Sequence, residues 1–140
     1  MADFENPIEI LKEDEALDLM GDQQLGRLVV RIKDDFDIYP LNYVVSEGKI
    51  YFRTAEGSKL FTVSINERVL FEADDHTEDK AWSVIVKGRA RILQKTDEIH
   101  KADELPLKPW LPTLKYNYVE ITPEEISGRR FQLGEEPERY

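Results

Sequence analysis

The chain has 140 residues, no cysteine and a formal net charge of −10. Its length is that of one domain, and the lack of cysteine excludes disulfides, thiolate nucleophiles and cysteine-ligated metal centres. The acidic balance opposes binding to nucleic acid or anionic membranes, so any anion site must be small, on the scale of a single phosphate.

Residues 1–7 read as a loose arm, acidic where a secretory leader would be basic and then apolar, so a soluble cytoplasmic protein is expected. Apolar runs such as residues 82–86 are strand-length, far below the roughly 20 residues that cross a bilayer. Residues 8–11 can form a first extended segment. Residues 13–20 begin with acids and place Ala16, Leu17 and Met20 on one face, the pattern of a short amphipathic helix that Gly21-Asp22 ends.

From Leu25 the period changes from helical to strand-like. GRLVVRIK (26–33), DIYPLNYVV (37–45) and KIYFRT (49–54) are β-branched or aromatic runs. Ser46-Glu47-Gly48 reads as a hairpin turn with glycine where a positive φ is needed. Pro40 lacks the N–H that a ladder requires and marks an edge or bulged strand. A brief helix is expected over 58–65 and strands over 68–73 and 81–93, with Gly88 at a bulge or bend. A helix is expected over 96–104, an ordered extended loop around Trp110 over 105–112, and closing strands over 116–122 and 127–133. Residues 135–140 read as a frayed acidic tail.

Hairpins and single short helices join these strands, which argues against a doubly wound parallel sheet. The expected fold is mainly β with a few short helices, a six-stranded antiparallel barrel, closed or nearly so, formed by residues 1–140 as one domain.

The segment YFRTAEGSK (51–59) carries the most chemistry. Strand alternation sends Phe52 to the core and Arg53 to the outside, and the chain then turns through Gly57 into a helix beginning with Ser58 and Lys59. A guanidinium, an ammonium, the hydroxyls of Thr54 and Ser58 and a helix N-terminus together suit a dianion. The same segment also reads as solvated charges around an ordinary turn and cap, and by itself the spacing leaves both readings open.

Read in order, Gly26-Arg27-Leu28, Tyr39-Pro40-Leu41-Asn42-Tyr43-Val44-Val45, Phe52-Arg53-Thr54-Ala55, Gly57-Ser58-Lys59, Phe71-Glu72, Trp82-Ser83-Val84-Ile85-Val86-Lys87-Gly88 and Ser127-Gly128-Arg129-Arg130-Phe131 form a set. It closely resembles the pyridoxamine 5′-phosphate oxidase-like family of FMN-binding split barrels, in its small flavin-nucleotide-binding branch. The resemblance covers about residues 8–131. It implies a homodimer with FMN in grooves between subunits.

Carried over, Arg53, Thr54, Ser58 and Lys59 would hold the phosphate, with Ala55 and Gly57 shaping that loop. Pro40, Leu41, Asn42 and Tyr43 would lie along the isoalloxazine with backbone groups at its polar edge. Trp82 and Ser83 would line the same groove, although an aromatic opening a long strand also fits core packing. Trp110 and Arg130 are further candidates for contact from the partner. The implied activity is a flavin-dependent oxidoreductase acting on a small substrate stacked on the ring, with no catalytic residue assigned. A deazaflavin-dependent reductase and a non-enzymatic flavin-binding or storage protein are the alternatives. Oxidation of pyridoxamine phosphate itself is not expected, because no histidine follows Arg129-Arg130.

Other signals carry less. His76 and His100 lie far apart without ligand spacing, so no metal is expected. Asp74-Asp75 reads as a strand end entering a turn, since adjacent strand residues face opposite ways. There is no G-x-S-x-G, no phosphate-binding loop of nucleoside triphosphatases and no G-x-G-x-x-G.

Overall fold

The computed structural model describes residues 6–55, 68–107 and 116–138. Eight strands and two helices occur among them: β1 (Ile8–Leu11), α1 (Glu13–Gly21), β2 (Leu25–Ile32), β3 (Asp35–Asn42), β4 (Val44–Ser46), β5 (Lys49–Ala55), β6 (Arg68–His76), β7 (Lys80–Ile92), α2 (Thr96–Asp103) and β8 (Tyr116–Gln132). All strand pairs are antiparallel and belong to one sheet in the order β3-β2-β6-β7-β8-β5-β4, with β1 on β8. The strands at the two ends of that path, β3 and β4, are one stretch of chain broken only at Tyr43. The sheet therefore curls into a ring whose seam is that break, the geometry of a split barrel.

The count is eight strands where six were expected. Residues 37–45 make two strands rather than one, because the chain leaves β2 at Asn42 and joins β5 at Val44. Residues 8–11 gain a partner in the end of β8. Conversely, 116–122 and 127–133 are one strand. Gly88 faces Pro123 and Lys87 faces Glu125, so Glu124 is the extra residue of a bulge that absorbs the proline without ending the strand. A side chain at position 88 would meet the Thr122 carbonyl at 2.4 Å, so glycine is required there. The 46–48 turn has positive φ at both Glu47 (50°) and Gly48 (77°), matching the twist of a tight hairpin. Pro40 sits on β3, which has β2 as its ladder partner, and so occupies an edge as expected.

Alternation builds the core. Leu28 and Val30 of β2, Ile50 and Phe52 of β5, Val69, Phe71 and Ala73 of β6, Val84 and Val86 of β7, and Val119 and Ile121 of β8 all point inward and are buried. α1 closes one end with Ala16 and Met20. Its acidic first turn, Glu13 to Glu15, suits the positive end of the helix dipole. Ala16 packs where Gly128 has no side chain, since a Cβ there would lie 2.8 Å from it. A smaller cluster of Leu93, Ala102 and Tyr118 holds α2 against the outer face of β5 and β8. Neither helix is long and apolar enough to cross a membrane.

Candidate functional site

The seam of the barrel brings two sequence-predicted groups together. Val44 faces Tyr51 in the β4–β5 ladder, and continuing that register past Tyr43 sets Asn42 beside Arg53. β3 turns away to pair with β2 at this point, although β3 and β5 still approach one another. Asn42 and Arg53 thus occupy the two lips of the seam.

Arg53 is directed outward, as its alternation with the buried Phe52 requires. Its guanidinium carbon lies 3.3 Å from the centre of the Tyr116 ring, a stacked cation–π contact. Its Nε is buried with no hydrogen-bond partner among the described residues. An unpaired buried donor on a stacked guanidinium costs free energy unless an acceptor arrives, which is what an anion supplies. Tyr51, on the same outer face, is fixed by donating to Glu120 at 2.9 Å, and burial with this carboxylate pushes its hydroxyl up to about 12. Glu120 is buried and also accepts from Arg91 Nε at 2.9 Å, with Lys49 at 3.6 Å. That network is fully paired and braces the Arg53 lip.

The remaining predicted residues divide by strand parity. Pro40 and Asn42 face outward. Leu41 and Tyr43 point into the core. The Tyr43 N–H is committed to the Gln24 carbonyl at 3.1 Å and its hydroxyl donates to the Met20 carbonyl, so neither is available to a ligand. Burial raises the pKa of that hydroxyl. Thr54 is 2 % exposed and turned inward, away from Arg53, while Ala55 is exposed at the strand end. Trp82 packs against the core cluster, whereas Ser83 takes the opposite parity. The two therefore do not share one wall, because consecutive strand residues face opposite sides. Arg130 lies across from Trp82 and is paired with Glu9 at 2.9 Å. Gly57, Ser58, Lys59 and Trp110 lie outside the described residues, as does the expected 58–65 helix.

Ser83 is three strands from Asn42 along β3-β2-β6-β7, about 14 Å across the sheet. Between them, on the outer face, lies a charged cluster that sequence reasoning missed. Arg27 of β2 has Pro40 on one side and Glu72 on the other, and Asp74 faces Ser83. Arg27 Nη2 reaches Glu72 Oε1 at 2.9 Å and donates to Asp74 Oδ2 at 2.5 Å. The Glu72 oxygen is nevertheless buried without an aligned hydrogen bond, so that contact is ionic only. Burial foremost, and then the neighbouring Asp74 carboxylate, push the Glu72 carboxyl up to about 7. Asp74 is held below its usual range by its hydrogen bonds to Glu72 and Arg27. Asp74 and Asp75 are inside β6, which runs on to His76 because β7 pairs with it that far; they do not form the expected turn. The available signal was the i, i+2 spacing of Glu72 and Asp74, which puts both carboxylates on one face.

A pH dependence of stability follows from this pair. A raised Glu72 pKa contributes stability that is full below about pH 4.5 and lost as pH rises toward about 7. The depressed Asp74 acts in another window, its contribution present above about pH 3.8 and lost as pH falls below that. Between about pH 5 and pH 7.5, wild type should therefore lose stability relative to Glu72→Gln, measured by thermal melts. Melting temperatures that run parallel across this range would contradict it.

The comparisons with known proteins agree with the architecture. The family model described as pyridoxamine 5′-phosphate oxidase matches residues 12–130. A crystal structure from Corynebacterium glutamicum, provisionally described as a pyridoxamine 5′-phosphate oxidase, is 58% identical with a TM-score of 0.88, over 94% of this chain and 98% of that one. An FAD-binding protein from Mycobacterium smegmatis is 43% identical with a TM-score of 0.83, over 90% of this chain and 100% of that one. An uncharacterised Mycobacterium tuberculosis protein is 48% identical over 96 residues, covering 69% of this chain and 87% of its own length.

Proposed function

The chain belongs to the pyridoxamine 5′-phosphate oxidase family, and on that basis we propose that it binds a flavin nucleotide at the barrel seam and serves as a flavin-dependent oxidoreductase. The observation that carries the reading is Arg53, whose stacked guanidinium holds a buried, unpartnered Nε at the lip opposite Asn42. The donor fits a phosphate, and Lys59 with Ser58 would complete the anion site. Pro40 and Asn42 supply the flat outer face along which a planar ring would lie. When bound, the flavin supplies the redox chemistry and the protein supplies orientation and electrostatics.

FMN satisfies this site with the fewest requirements. FAD contains the same ring and first phosphate, and the FAD-binding protein at 43% identity favours it as the second reading. Titration of purified protein with each flavin, followed by fluorescence quenching and by absorbance, decides between them. Reduction of the bound flavin by NADH or NADPH would support the oxidoreductase assignment, and inertness toward both with flavin tightly bound would favour a binding or storage role. Oxidation of pyridoxamine phosphate is not part of the proposal.

We also propose that the working form is a homodimer. Phe36 and Ile38 are 69% and 60% exposed on the outer face of β3. Phe36, with Val29 and Leu70, borders a depression of about 370 Å³ that Arg31, Arg68 and Lys87 flank, and Ile38 is the ladder partner of Val29. A contiguous apolar area of this kind is uncommon on a monomer. Among these cations Arg31 has Asp34 at 4.0 Å and Lys87 has Glu125 at 3.8 Å, so the face carries both signs and can complement itself about a twofold axis. Sedimentation at micromolar concentration should give twice the chain mass for wild type and the chain mass for Ile38→Asp; a monomeric wild type would rule the dimer out.

A further inference from the structure

We propose that Arg27, Glu72 and Asp74 form the floor of the flavin groove, with the Glu72 carboxyl as the positioning group whose proton is linked to flavin affinity. This rests on the flavin reading above and extends it to residues that reading does not use. The cluster lies on the outer face between Pro40 and Asn42 on one side and Ser83 on the other, so a planar ring resting against β3 and reaching toward β7 must cross it.

The charge balance of the cluster decides its effect. With Glu72 neutral, Arg27 offsets Asp74 and the floor has no net charge. When Glu72 ionises, the floor carries one negative charge beneath an anionic nucleotide. The surrounding groups do not cancel that change. Arg27 faces Glu72 from β2, and Asp74, with His76 beyond it, lies on β6 itself. The residue opposite on β7 is the apolar Ile85, and the diagonal Lys87 is engaged with Glu125 at 3.8 Å. Pro40 is the β3 residue in this row, and the nearby Tyr43 hydroxyl stays neutral. The Glu72 oxygen is buried 2.9 Å from Arg27 without an aligned hydrogen bond, a feature of the geometry that is independent of its titration.

The test uses the whole chain and FAD, whose pyrophosphate, unlike the FMN phosphate with its second pKa near 6, does not titrate close to neutrality. One charge at about 10 Å in a partly desolvated face should raise the Kd for FAD about five- to tenfold between about pH 6 and about pH 8.5. Glu72→Gln, which cannot ionise, should hold the tighter value throughout. Linkage is reciprocal, so FAD should also raise the Glu72 pKa in wild type, read from the carboxyl carbon by NMR without any variant. A Kd for FAD that is independent of pH in wild type, or a carboxyl titration that FAD leaves unmoved, overturns the role of Glu72 while the flavin reading stands. Absence of FAD and FMN binding at every pH overturns the flavin reading and this proposal together.

Discussion

Arg53→Ala is expected to weaken flavin binding by about 2–4 kcal/mol, a rise in Kd of about 30- to 1000-fold. The guanidinium is held by its stack on Tyr116 and has no salt bridge among the described residues, so its removal takes away a ligand donor without leaving one of their carboxylates unpaired. The melting temperature of the ligand-free protein should change little. Arg53→Lys should recover only part of the affinity, because an ammonium keeps the charge but loses the planar fork and the stack. Fluorescence titration of the three proteins measures this directly. Equal affinities for wild type and Arg53→Ala would remove the phosphate from this lip of the seam.

Phe71→Ala should cost about 3–5 kcal/mol of stability and lower the melting temperature by about 10–20 °C. Phe71 is completely buried at the middle of β6 and meets Tyr43 edge-to-face at 4.9 Å. Its ring also fills the space left by Gly26, where an added Cβ would lie 2.5 Å away. Truncation therefore opens a cavity shared by β2, β6 and the Tyr43 break, and the aromatic pair is lost as well. Since Tyr43 separates β3 from β4, the same variant should loosen the seam and weaken flavin binding although it removes no group that faces the ligand. A shift in melting temperature of under about 3 °C would mean that the core closes over the gap.

Much of the barrel was legible in the chain. Gly88 announced its bulge, Pro40 its edge strand and Ser46-Glu47-Gly48 its hairpin, because each depends on local backbone chemistry that few residues can meet. The outward turn of Arg53 followed from the burial of Phe52 beside it, since alternation has a period of two wherever one face is inside.

Other features depended on partners distant in sequence. The break at Tyr43 exists because β3 and β4 are claimed by different strands, β2 and β5, which no run of residues 37–45 reveals. β8 continues through Pro123 because Gly88, 35 positions earlier, accommodates the bulge opposite it. The separation of Trp82 from Ser83, and of Thr54 from Arg53, was implicit in the same alternation that placed Phe52, yet a shared motif had grouped them. The Arg27–Glu72–Asp74 cluster spans two strands more than 40 positions apart. The amino-acid sequence by itself determined strand identity, turn chemistry and which side chains point inward, all of them short-range steric and hydrophobic choices. Only the tertiary structure decided which outward-facing charges became neighbours, because ladder register is a property of the closed sheet and not of any one strand.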